Sequence, residues 1–196
     1  MGLFAPRSDA EVAQFVRTEM LGLVTTHDEQ GFVTTPLPLL AELDDTGRVH
    51  TFIGHFALAN PHVARAQMSP RAQIAFLGAH GYISPTVVSA PGWGPTWNYR
   101  FVQFGVDLQF EPERNREAIV ELVGALEGTD EHAWTVEQMG ARFEGMAKRV
   151  VAFRAVVVSQ TAQFKLGQDE NPETFLEIVK AQGSSPLAEA MIAQRQ

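Results

Sequence analysis

The segment GPTWNYRFVQFGV, Gly94 to Val106, decides how the chain is read. A Gly-Pro turn signal leads into Trp97, Asn98 and Tyr99, and the β-branched and aromatic residues that follow predict a long strand from about Asn98 to Phe110. An aromatic and amide cluster at the mouth of a strand fits two roles. It is either a corner packed into the core or the rim of a site for a flat ligand, whose faces take apolar contact and whose edge takes hydrogen bonds.

Working outward, the elements come in runs. Ser8 and Glu11 form a capping box before Val12, Phe15 and Val16, which predicts a first helix. LGLVTT (Leu21 to Thr26) and FVTTPLPLL (Phe32 to Leu40) flank HDEQG as a hairpin, and RVHTFIG (Arg48 to Gly54) follows the turn DDTG. Three successive strands suggest a meander. Asn60 and Pro61 open a short helix to about Met68. AQIAFLG and GYIS read as two further strands before the opening segment.

Beyond Pro112, Ile119, Val120, Val123 and Leu126 mark the buried stripe of a helix that Gly128 stops. Val150 to Val158 is dense in β-branched residues and predicts another long strand, and Asn171-Pro172 starts a helical tail. Seven or so strands in runs, with peripheral helices, predict a mainly β antiparallel barrel as one domain over residues 1–196 with a C-terminal helical tail.

Composition narrows the function. The 196 residues carry 15 Lys plus Arg against 23 Asp plus Glu, a formal charge of -8, with no Lys/Arg-rich arm or basic recognition helix. Direct nucleic-acid binding is therefore disfavoured, as is attraction to anionic membranes. No apolar run is long enough to span a bilayer and the start MGLFAPRSDAEV lacks a signal-peptide core, so a cytoplasmic protein is expected. The absence of cysteine removes thiol chemistry. Neither G-x-x-x-x-G-K-[ST] nor G-x-G-x-x-G after a strand occurs, and neither H-E-x-x-H nor G-x-S-x-G, so no metal site or serine nucleophile is expected.

GHFALANP (Gly54 to Pro61), AHGYISP (Ala79 to Pro85), PTWNYRFVQFGV (Pro95 to Val106) and FKLGQDEN (Phe164 to Asn171) resemble, in this order, the PaiB-like proteins, known as FMN-binding negative transcriptional regulators. These are similar to the pyridoxamine-phosphate-oxidase-like group. The resemblance implies an FMN-binding split β-barrel that forms a homodimer with flavin at the subunit interface. Family members often carry a histidine where Pro36 stands, more aromatic residues past Pro85, and a serine where Gly167 stands.

By this resemblance Thr34, Thr35, Pro36 and Leu37 present backbone groups to the flavin ring. Two prolines in TPLP independently imply an edge or bulged strand. Gly54, His55, Ala59 and Asn60 stand where a strand hands over to a helix, with Gly54 expected to let backbone approach a phosphate held by free amides. Trp97, Asn98 and Tyr99 line the cleft or the dimer seam. Lys165 and Gln168, at the end of the last long strand, reach the flavin from this chain or from its partner, and Arg65, Arg71 and Arg100 are rivals for the phosphate. His80 and Ser84 are read as closing a hairpin, and Phe101, Val102, Phe104 and Val106 as occupying both faces of their strand. No side chain is named as a catalytic acid or base.

Two functions follow: a flavin-dependent oxidoreductase, or a flavin-binding regulator of transcription acting without direct DNA contact. A third is a barrel that binds another planar molecule.

Overall fold

The computed structural model describes residues 2–128 and 130–195. The chain runs α1 (Asp9–Glu19), β1 (Leu21–Asp28), β2 (Gly31–Pro38), β3 (Leu40–Leu43), β4 (Val49–Ala57), α2 (His62–Met68), β5 (Arg71–Ile83), β6 (Thr96–Phe110), α3 (Asn115–Glu127), α4 (Ala141–Ala147), β7 (Val150–Lys165), α5 (Pro172–Gln182) and α6 (Pro186–Arg195). The strands form one seven-stranded sheet in the order β2-β1-β5-β6-β7-β4-β3, and all its pairs are antiparallel. It is a split barrel whose inner face is filled by phenylalanines.

The expected meander holds only for the β1–β2 hairpin. Leu39 breaks the strand predicted from Phe32 to Leu40, and β3 then leaves for the opposite end of the sheet, where it pairs with β4. The two segments expected as separate strands are one 13-residue β5, irregular between Leu77 and His80. A bulge lets a long strand bend around a barrel without ending it. The last strand ends at Lys165, where it was expected to end.

Phe52, Phe56, Phe76, Phe104 and Phe153 are fully buried and meet ring to ring, Phe52 and Phe104 edge-on at 4.9 Å. Burying each such ring contributes about 2–3 kcal/mol. Leu39, 1% exposed, closes the seam between the two halves of the sheet. A Cβ added at Gly22 on β1 would lie 2.7 Å from Leu39 Cδ1, and one at Gly54 on β4 would lie 2.6 Å from Leu39 Cδ2. Both glycines exist to admit this one side chain. The space on the Cβ side of Gly54 belongs to Leu39 and Phe153.

On β6, Val102, Phe104 and Val106 are all fully buried, so they share the inward face. Phe101 alone of the four points the other way, as the two-residue period of a strand requires. The α3 stripe is also rotated from prediction. Ala118, Ile119 and Leu122 are buried, whereas Val120 and Leu126 are exposed. The helix begins after a short 3-10 turn at Pro112–Arg114, which resets its phase.

Ile119 packs with Val136, Phe143 and Ala147 in a satellite core around α4, a short helix that the sequence did not announce. The C-terminal helices are integral: Phe175, Ile178, Leu187 and Met191 join the main core. Asn171 caps α5 by accepting from Thr174 N at 2.9 Å. Gly167 turns the chain into this region at a φ of +81°, a left-handed conformation that a serine would occupy with strain.

Candidate functional site

β2 is an edge strand, paired only with β1, and β4 is paired with β3 only as far as Ile53. The edge of β2 and the edge of β4 from Gly54 to Ala57 therefore present unladdered backbone groups on either side of the split. Pro36 and Pro38 sit on this β2 edge, where their missing N–H groups cost no ladder bond.

A closed polar network ties this edge to α2. The ring of His62, 0% exposed, meets Thr26 Oγ1 through Nε2 and Thr35 Oγ1 through Nδ1, each at 2.9 Å. Asn60 Nδ2 donates to Thr35 Oγ1 at 3.1 Å, and Asn60 Oδ1 accepts from the His62 backbone N–H at 2.9 Å. One turn on, Arg65 donates through Nε to Asp28 Oδ2 and through Nη2 to the Gly31 carbonyl, both at 2.6 Å. This pair draws the Asp28 carboxyl below its ordinary pKa. Helix α2 thus brackets the β1–β2 hairpin at three points. Burial, aided by the Arg65 charge, holds the His62 pKa below the usual imidazole value.

His55 on β4 is pushed the same way by burial. Its Nδ1 is a buried polar atom with no hydrogen-bond partner among the described residues. Such an atom is an open position for a ligand or water. The start of α2 is less available than expected. The helix has seven residues, Asn60 already accepts from its His62 and Val63 amides, and Pro61 has none.

The remaining predicted residues gather elsewhere. Trp97, 53% exposed, stacks near His80 with ring centroids 6.2 Å apart and lies 6.1 Å from Tyr82. Asn98 points the opposite way, 2% exposed, with Nδ2 donating to Met191 Sδ at 3.5 Å. The trio at the strand mouth is thus divided between two faces, rim and core. Tyr99 donates to Gln163 at 2.8 Å, and Lys165, its partner in register, donates to Thr96 Oγ1. The Gln168 amide is spent on the end of β7, accepting from Leu166 N and donating to the Phe164 carbonyl.

His80 Nδ1 donates to the Gly78 carbonyl, and Ser84 Oγ accepts from Thr86 N to cap the turn that leaves β5. Of the basic rivals, Arg65 is held by Asp28 and Arg71 by Asp107. Arg100 has no ion pair among the described residues. Its guanidinium lies over the rings of Phe15 and Phe164 at 4.5 and 4.8 Å and borders an open cavity of about 630 Å³ with His80, Glu19 and Leu187.

The two groups are far apart. Gly54 pairs with Phe153 near one end of β7 and Tyr99 with Lys165 at the other, a separation of about 40 Å of strand contour. Sequence reasoning missed His62. The one local signal is a polar side chain directly after an Asn-Pro cap.

Comparison with known proteins places the chain among relatives. The model of a family described as "Putative FMN-binding domain" matches residues 2–159. The chain is 27% identical over 173 residues to Protease synthase and sporulation protein PAI 2 of Bacillus subtilis, covering 87% of this chain and 82% of that protein. Among solved structures, a conserved hypothetical protein, Rv2991, of Mycobacterium tuberculosis superposes with a TM-score of 0.58 at 16% identity, over 86% of this chain and 91% of the other. An FAD and heme binding protein of Mycobacterium smegmatis does so with 0.60 at 13% identity, over 92% and 80%. These two likenesses concern the fold.

Proposed function

This chain belongs to the FMN-binding domain family, and on that premise we propose that it is a homodimeric flavin-dependent oxidoreductase whose FMN lies along the split between β2 and β4. The observation that carries the proposal is the pair of unladdered edges. They offer free backbone donors and acceptors beside the half-buried Thr35, which Asn60 contacts. A flavin edge is rich in carbonyls and ring nitrogens, and unpaired strand backbone is the complementary surface.

The group at Trp97, Tyr99 and Lys165 sits too far along β7 to share that cofactor within one protomer. A second copy supplies it in this reading. Exposed Trp97, Tyr82 and Leu77 form the kind of apolar outer surface that a partner covers. Bound FMN supplies the redox chemistry, while the chain binds it, orients it and sets the local electrostatics. Thr35 and Asn60 hold the β2 edge in place, and the neutral imidazoles of His55 and His62 keep uncompensated positive charge away from the ring.

The test is the absorption spectrum of apoprotein mixed with FMN and desalted, with the mass in solution measured alongside, then anaerobic addition of NADH or NADPH. A retained flavin band that bleaches on a dimer-sized protein is expected. A retained band that neither nucleotide bleaches removes these donors, and a monomer that holds FMN removes the shared site.

A second reading, regulation of gene expression, is favoured by the name of the Bacillus subtilis relative, which refers to protease synthesis and sporulation. The charge of -8 points to an indirect route in that case, with flavin state sensed and another molecule touching DNA. Lack of any DNA mobility shift by the FMN-loaded protein is expected.

A further inference from the structure

We propose that His62 and Asn60 are positioning residues that make the Thr35 hydroxyl a dedicated hydrogen-bond donor to an acceptor oxygen of the flavin nucleotide. The proposal rests on the flavin lying at the split.

Proton accounting in the network leads to it. Thr26 is buried, and among the described residues its hydroxyl has one hydrogen-bond partner, His62 Nε2. A buried O–H without an acceptor is costly, whereas an oxygen lone pair left over is not, so Thr26 donates its proton to Nε2. That choice makes Nε2 the unprotonated nitrogen of the neutral ring and puts the ring proton on Nδ1.

Nδ1–H then donates to Thr35 Oγ1, 2.9 Å away. Asn60 Nδ2 donates to the same oxygen at 3.1 Å. A hydroxyl oxygen has two lone pairs, and both are now filled. What Thr35 retains is its own proton. It sits on a half-buried residue at the unpaired edge of β2, beside Pro36, which has no N–H to offer.

The chemistry recognised is therefore an acceptor oxygen. A flavin nucleotide carries three kinds, the ring carbonyls, the ribityl hydroxyls and the phosphate. A donor N–H of the ring facing Thr35 is excluded, because no lone pair remains to receive it.

The experiment has a direct arm and a binding arm. Nitrogen-15 NMR of the apoprotein at pH 7.5 reads the His62 tautomer, and the Nδ1–H form is expected. In parallel, fluorescence quenching measures the Kd of FMN and of riboflavin for wild type, Thr35→Val, Thr35→Ser and Ala59→Trp. Thr35→Val is expected to weaken binding about tenfold, the scale of one hydrogen bond, with Thr35→Ser restoring it. An equal loss for both ligands identifies an oxygen of the ring or ribityl chain, and a loss for FMN alone identifies the phosphate.

Ala59 is exposed and directly precedes Asn60, and Ala59→Trp is chosen to add bulk on the approach to that residue. FMN affinity unmoved by Ala59→Trp places the flavin elsewhere and overturns both readings. Affinity lost in Ala59→Trp but kept in Thr35→Val, or an Nε2–H tautomer in wild type, overturns this inference and leaves the flavin at the split.

Discussion

The two ends of the barrel are built on opposite principles. At the split, Thr26, Thr35, Asn60, His62 and the Arg65–Asp28 pair are joined by hydrogen bonds, and the edge strand is held to a seven-residue helix. At the other end, Trp97, Tyr82 and Leu77 stand in solvent with apolar surface uncovered. The first end is organised within one chain, and the second has the surface character of something completed by another molecule. Mutations should therefore unfold the protein from one end and disable assembly from the other.

The largest effect is expected from His62→Ala. It leaves the buried Thr26 hydroxyl without a partner and opens a cavity at the base of α2, for a loss of about 3 kcal/mol read as a lowered urea midpoint. An unchanged midpoint would mean that α2 does not support the hairpin. Gly54→Ala comes next. Its Cβ would press on Leu39 and Phe153, and a loss of about 1–3 kcal/mol is expected in the same assay.

Acid should act at the split as well. His55 and His62 are both held below the ordinary imidazole pKa of 6.5, so the unfolded chain binds more protons than the folded one once pH drops below that value. Their contribution to stability is complete above about pH 6.5 and is lost as pH falls through the folded-state values. The urea midpoint should decline between pH 7 and pH 5, and the decline should flatten in a His55→Asn, His62→Gln double variant. A slope identical to wild type would assign the acid sensitivity to other groups.

Trp97→Ala is the smallest perturbation of the fold, within about 0.5 kcal/mol, because the ring is mostly in solvent. The same variant is expected to shift sedimentation toward the monomer. A variant that unfolds easily but still assembles would invert the contrast between the ends.

Much of this architecture was legible residue by residue. Ser8 with Glu11 and Asn171 with Pro172 announced helix starts that the structure uses, with Ser8 Oγ accepting from Glu11 N at 3.2 Å. The prolines of TPLP marked an edge strand, and β2 is one. FMN was legible through four motif blocks taken together, and the family match over residues 2–159 spans the first three of them. The division of Trp97 from Asn98 followed from the two-residue period of a strand, yet which of the two faces the core depended on α6 bringing Met191 against β6.

What the sequence by itself determined is whatever neighbours a few residues apart impose: caps, strand periodicity, a proline-blunted edge, an acidic surface. Tertiary structure decided the rest. It sent β3 to the far side of the sheet from β2, opened the split between β2 and β4, and set His62 against Thr26 and Thr35, which are 36 and 27 residues away in the chain. Strand order is chosen by which long-range ladders bury the phenylalanine core together, and that choice leaves no mark on local propensity. The same cooperativity turned a histidine that looked unremarkable in sequence into the link between Thr26 and Thr35.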